Sequence, residues 1–181
     1  TMSSLTRSQR TLLIVIAVFA LPVIGAWLTL KTHWYQPATN KGVLLEQPLA
    51  LSQLETLPEG WRVAYRMPNQ CNEQCKNTLY VLGQLDVALG KDSDRVTPII
   101  LSQQMLPEQR DLPHWDDIVA VQSKALIDAV ESIPFDHVFI IDPQGHVMLH
   151  YPTHAEHETM VMEGKNILAD LRKMLKLSRI G

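Results

Sequence analysis

The chain contains two cysteines, Cys71 and Cys75, in the stretch Asn69-Gln70-Cys71-Asn72-Glu73-Gln74-Cys75-Lys76. Residues four apart share a helix face, so both sulfurs can be brought to one place. Two thiols held together can close a structural disulfide, pass electrons to a partner disulfide, or hold a soft metal ion as thiolates. A bridge across so short a loop restricts the unfolded chain only weakly, which makes it an inefficient staple and favours a working dithiol. A helix N-terminus stabilises the thiolate, the form that both exchange and metal ligation require. The structural bridge stands as the alternative.

The elements around the pair set that geometry. Trp61–Arg66 alternates large apolar with polar residues after the turn sequence Pro58-Glu59-Gly60, which predicts a strand just before the cysteines. Leu79, Tyr80, Leu82, Leu85 and Leu89 recur at helical spacing over Asn77–Leu89, and Gly90 ends the pattern. The dithiol therefore falls at a strand-to-helix switch. Arg95–Leu101 reads as a second strand, weakened by Pro98. Trp115–Val130 reads as one amphipathic helix, with Ile118, Val121, Ala125, Leu126 and Val130 on its face. His137–Ile141 and His146–Tyr151 are β-rich runs joined by Asp142-Pro143-Gln144-Gly145, a hairpin signal. Met160–Leu177 closes the chain as an amphipathic helix. Strands separated by helices imply parallel pairing, and the hairpin adds antiparallel strands. The expected fold is α/β and thioredoxin-like, a central mixed sheet flanked by helices.

Thr11–Leu30 is a run of twenty residues without a charge. At about 1.5 Å per residue a helix of this length crosses the hydrocarbon core of a bilayer. Arg7 and Arg10 precede it and the first acidic residue is Glu46, which favours keeping the short leading end in the cytoplasm. A cleaved signal peptide is the competing reading, but its apolar region is usually shorter, about 7 to 15 residues. The expected organisation is 1–10 as a cytoplasmic N-terminus, 11–30 as a transmembrane anchor, 31–57 as a juxtamembrane linker and lead-in, and 58–181 as a thioredoxin-like periplasmic domain. The chain of 181 residues thus leaves room for one domain with one core. From Lys31 onward there are 14 basic and 19 acidic residues, and no basic stripe to serve nucleic acid. No Gly-x-Gly-x-x-Gly, Walker loop, His-Glu-x-x-His or Gly-x-Ser-x-Gly occurs.

His137 opens the strand whose start, in a thioredoxin-like fold, lies beside the dithiol, and with period two it shares a face with Phe139 and Ile141. Two thiolates and one imidazole suit Cu(I) or Cu(II). A strand-end histidine bonded to a backbone carbonyl is the plainer account. His146, Met148, His150, His154, His157, Met160 and Met162 form a second group of soft and imidazole donors, read first as strand and helix faces and only second as a surface metal site. Met67, four residues before Cys71, fits the core better than an outer contact to the site.

The apolar N-terminal run, Cys71-x-x-x-Cys75 after the first strand, and Phe139-Ile140-Ile141-Asp142-Pro143-Gln144-Gly145 together resemble the Sco/SenC family over roughly Trp61–Leu177. Those are membrane-anchored, thioredoxin-fold copper chaperones that help build the dinuclear copper site of cytochrome c oxidase. The resemblance implies a copper-binding chaperone on the periplasmic side of a bacterial inner membrane. Its metal would be held by Cys71 and Cys75, with His137 as third ligand, and its partner would be a respiratory oxidase subunit or another copper or thiol protein. Family members usually carry a proline after each cysteine, where this chain has Asn72 and Lys76. Their ligand histidine follows an aspartate nine residues before the turn proline; that position is Pro134 here, and Asp136-His137 stands three residues later. Two alternatives remain. One is a membrane-tethered thiol–disulfide oxidoreductase with Cys71 attacking and Cys75 resolving, against which the spacing counts, since Cys-x-x-Cys is the usual redox form. The other is a non-catalytic accessory protein of oxidase assembly.

Overall fold

In the computed structural model, residues 6–31, 40–103 and 115–178 are described. The chain divides between Thr39 and Asn40 into two units. The first contains α1, Arg7–Lys31, which includes the whole apolar run and Pro22. Leu12, Ile16, Phe19, Val23 and Trp27 are all more than half exposed along it. A core helix of a soluble protein would bury such side chains; a helix of this length and exposure suits a bilayer.

The second unit is built on one six-stranded sheet. Its strands are β1 (Val43–Ala50), β2 (Trp61–Arg66), β3 (Val96–Ser102), β4 (Val119–Gln122), β5 (His137–Ile141) and β6 (His146–Pro152), in the order β1-β6-β5-β2-β3-β4. Strand β2 pairs parallel with β3 and antiparallel with β5. The helices are α2 (Glu73–Gly83), α3 (Leu85–Leu89), α4 (Lys124–Ala129) and α5 (His157–Leu177). Side chains alternate across the sheet. Val63, Tyr65, Val138, Ile140 and Tyr151 join Leu79, Leu82, Ile167 and Leu171 in one core on the α2 and α5 side. Ala64, Ile99, Leu101, Phe139 and Ile141 join Leu126, Val130 and Ile133 in a second core on the α4 side.

Three elements differ from the sequence expectation. The stretch read as a linker contains β1, paired antiparallel with β6 and irregular between Leu44 and Leu49. Pro48 falls in that irregularity, on an edge strand, the place in a sheet where a missing N–H is tolerated. Trp115–Val130 is not one helix: a 3-10 turn at Trp115–Asp117 leads into β4 and then α4. Val119 and Val121 pair in parallel with Ile99 and Leu101, and the Ser123 hydroxyl then accepts from Leu126 N–H to start α4. Finally, the helix expected from Asn77 begins at Glu73 and breaks at Gln84. Pro98 does not interrupt β3, because β4 pairs with it only from Ile99 onward.

The hairpin forms as expected. Gly145 sits at φ +89°, and a Cβ there would run into the Leu54 side chain. Asp142 closes the turn, its Oδ1 accepting from His146 N–H at 2.8 Å. At the other end of the sheet, Asp170 on α5 is fully buried, and its Oδ2 accepts from Lys41 N–H (2.7 Å), Gly42 N–H (2.9 Å) and the Tyr151 hydroxyl (2.9 Å). Burial and this donation to a carboxylate both push the Tyr151 phenol up from its ordinary value.

Candidate functional site

Cys71 and Cys75 are joined as a disulfide, with their Cα atoms 5.2 Å apart. Cys75 lies inside the first turn of α2 and is fully buried among the α2-side core; Cys71 packs against that core and stays partly exposed. The asymmetry gives a partly exposed cysteine and a buried one. Asn72 stands between them as the N-cap of α2, its Oδ1 accepting from Cys75 N–H at 2.9 Å. Where the Sco/SenC pattern carries a proline, this chain therefore carries the group that starts the helix.

The first turn of α2 is tied to the connector between β6 and α5. Gln74 Nε2 donates to the Thr153 carbonyl and hydroxyl, and Asn77 Nδ2 donates to the Ala155 carbonyl at 2.7 Å. Thr153 in turn donates from its N–H and from its hydroxyl to the Asp136 carbonyl, beside His137. The sequence draws attention to Asn72 only as a departure from the Sco/SenC proline, and to Gln74 and Thr153 not at all; an asparagine three residues before Cys75 is the one local signal of the cap.

His137 stands at the start of β5, where that strand runs beside the end of β2. Its Nδ1 lies 2.7 Å from Nδ1 of His150, with ring centroids 4.8 Å apart. Alternation along β5 puts His137 with Phe139 and Ile141, whose core is on the opposite side of the sheet from Cys75. Burial holds both imidazoles below their ordinary value, and His137 is lowered further by the neighbouring His150. Among the described residues, no three His, Cys, Asp or Glu side chains gather into a group that could hold a metal.

The second group of soft donors is dispersed. His146 bonds Asp142 (3.1 Å), His154 bonds Glu163 (3.3 Å) and His157 bonds Asn77 (3.2 Å). Met160 is buried beside the Thr78 hydroxyl, while Met148 and Met162 are exposed. Met67 is a core residue, packed with Cys75 and Tyr65. Burial, with Asp136 nearby, pushes the Tyr65 phenol up to about 12.

A mixed sheet flanked by helices, with a cysteine pair where β2 hands over to α2, defines a thioredoxin-like protein. The chain belongs to the family described as transmembrane-like, thioredoxin-like, C-terminal domain, which matches residues 61–178. Among solved structures it is similar to apo Sco1 from Thermus thermophilus, with 16% identity, a TM-score of 0.53, and coverage of 77% of this chain and 99% of that one. It is also similar to copper-bound ScoI from Arabidopsis thaliana (11% identity, TM-score 0.47, 66% and 88% covered). A third is BsSco, of the Sco family of cytochrome c oxidase assembly proteins (16%, 0.41, 73% and 97%). None of the curated proteins matches the sequence.

Proposed function

We propose that this chain is a membrane-anchored, Sco-like thiol–disulfide protein serving the copper-site maturation of a respiratory oxidase from the periplasmic side of a bacterial inner membrane. The observation that carries it is the pairing of a partly exposed Cys71 with a buried Cys75 at the capped start of α2. In the reduced protein, the Cys71 thiolate attacks a client disulfide, forming a mixed disulfide and releasing one client thiolate. The Cys75 thiolate then attacks the Cys71 sulfur, forming the bond seen here and releasing the second client thiolate. Two electrons pass to the client, whose thiolates take protons from water. Arg7 and Arg10 support the sidedness.

Copper carriage is the second reading, favoured by two soft sulfurs at one point and by the Sco likeness. Copper is then cargo, held by reduced Cys71 and Cys75. His137 as third ligand requires it to leave His150 and reach across to the sulfur side.

Both are tested on the reduced full chain in detergent. Turnover on a model disulfide, abolished by Cys71→Ser, supports exchange. Tight 1:1 Cu(I) binding, lost in Cys71→Ser and Cys75→Ser, supports carriage, and His137→Ala reports on the third ligand. Inertness in both assays overturns both readings and leaves a non-catalytic accessory role.

A further inference from the structure

A groove of about 180 Å³ opens over the carboxyl ends of β2 and β3, walled by Met67, Asn69, Gln103, Ile127 and Phe135, with Arg66 among its lining residues. The chain runs from Arg66 through Met67–Gln70 to Cys71, so the groove, on the α4 face with Leu101 and Ile127, and Cys71, on the α2 face, lie on the two sides of the sheet at the carboxyl end of β2. The carboxyl ends of parallel strands are the usual place for a ligand in an α/β sheet.

Arg66 is the unusual member. It is 6% exposed, yet its guanidinium is incompletely satisfied. Nη2 donates to the Ile133 carbonyl, and Nε is buried with no hydrogen-bond partner among the described residues. Phe135, half exposed, lies over the guanidinium at 5.2 Å. Glu131 and Asp136 are the acidic groups that act on Arg66, and neither forms an ion pair or a hydrogen bond with it. A buried cation is normally paired, because its desolvation otherwise goes uncompensated. A guanidinium with spare donors, beside an aromatic lip, is matched by a planar carboxylate, which it can hold bidentately.

We propose that this groove seats a carboxylate of the client, with Arg66 as its counter-ion and Phe135 as its apolar lip, so that an acidic residue near the client's sulfur aligns that sulfur with Cys71. The proposal rests on the exchange reading and adds a specificity to it: disulfides flanked by Asp or Glu over those flanked by neutral residues.

Two measurements on the full chain separate the ideas. The first uses disulfide dimers of acetyl-Cys-Glu-amide peptides, with zero, one or two glycines between Cys and Glu, beside their Gln counterparts. With the reduced protein, the Glu peptide at one spacing is expected to react at least tenfold faster than its Gln twin, relative to dithiothreitol. Arg66→Gln is expected to bring that ratio within twofold while leaving the Gln peptides unchanged. The second uses the S-methylated Glu peptide, which cannot exchange, added to the oxidised protein carrying labelled methionine and isoleucine methyls. Saturable shifts at Met67 and Ile127, absent with the Gln peptide and lost in Arg66→Gln, support the site. No shift at those methyls, or shifts that survive Arg66→Gln, overturn it even where exchange is active. Shifts without any exchange overturn the exchange reading alone. If Arg66→Gln does not fold, Phe135→Ser at the half-exposed lip replaces it and is expected to weaken binding at least threefold; unchanged binding in that variant overturns the lip and the site with it.

Discussion

Gln74, between the two cysteines, donates from Nε2 to the Thr153 carbonyl at 2.9 Å and to the Thr153 hydroxyl at 2.7 Å. Thr153 passes its own two donors to the Asp136 carbonyl, so one side chain fastens the start of α2 to the open end of the β5–β6 hairpin, where Asp136 precedes β5 and Thr153 follows β6. Gln74→Ala is expected to lower unfolding stability by about 1–2 kcal/mol, the scale of partly buried hydrogen bonds. Gln74→Glu, the same size but an acceptor only when ionised, would face the Thr153 carbonyl with a charge and cost more. Urea denaturation of the oxidised protein checks both; a Glu variant as stable as the parent would sink the clasp.

Asn72 caps α2 through Cys75 N–H. Asn72→Ala is expected to cost about 1 kcal/mol, while Asn72→Asp keeps the acceptor and stays within a few tenths of the parent. Equal losses in the two variants would show that something other than the cap sets the helix start.

The contact between His137 and His150 makes stability depend on pH. Both rings are held below the ordinary value of 6.5 in the fold, so below about pH 6.5 the unfolded chain binds more protons. Stability is therefore full above that value and falls as the solution is acidified through the lowered folded values. A double protonation would also set two cations in contact across 2.7 Å. His150→Gln is expected to flatten the profile, read as urea midpoints from about pH 7.5 to pH 5. A parent protein with level midpoints over that range would contradict the account.

Asp170 holds three donors on one buried oxygen. Asp170→Leu strands two backbone N–H groups and a phenol, with an expected loss of about 3 kcal/mol or more, whereas Asp170→Asn retains an oxygen and loses less. Comparable melting temperatures for the two variants would argue against the shared acceptor.

The parts of this fold that could be read from sequence are those whose signal is local. The Asp142–Gly145 turn, the alternation at Trp61–Arg66 and the apolar run of α1 each specify their own conformation. Strands β1 and β4 could not be read so. Val119–Gln122 is too short to show a period and becomes a strand only because β3 offers an edge, while Val43–Ala50 is largely exposed and is fixed by pairing with β6. The site divides in the same way. The cysteines were read from their spacing together with the strand period before them and the helix period after them. The partner of His137 depends on the register Phe139↔His150, and the groove over Arg66 on strands distant in sequence; neither leaves a trace in any short window.

The Asp170 clasp also says where this folding unit ends. Two of its three donors are the backbone of Lys41 and Gly42, separated from Asp170 by 129 and 128 residues. A fragment cut to begin at the first strand, Val43, would leave a fully buried carboxylate with one donor where it now has three. The N-terminal limit of the domain is thus set from its last helix, two residues before the sheet begins.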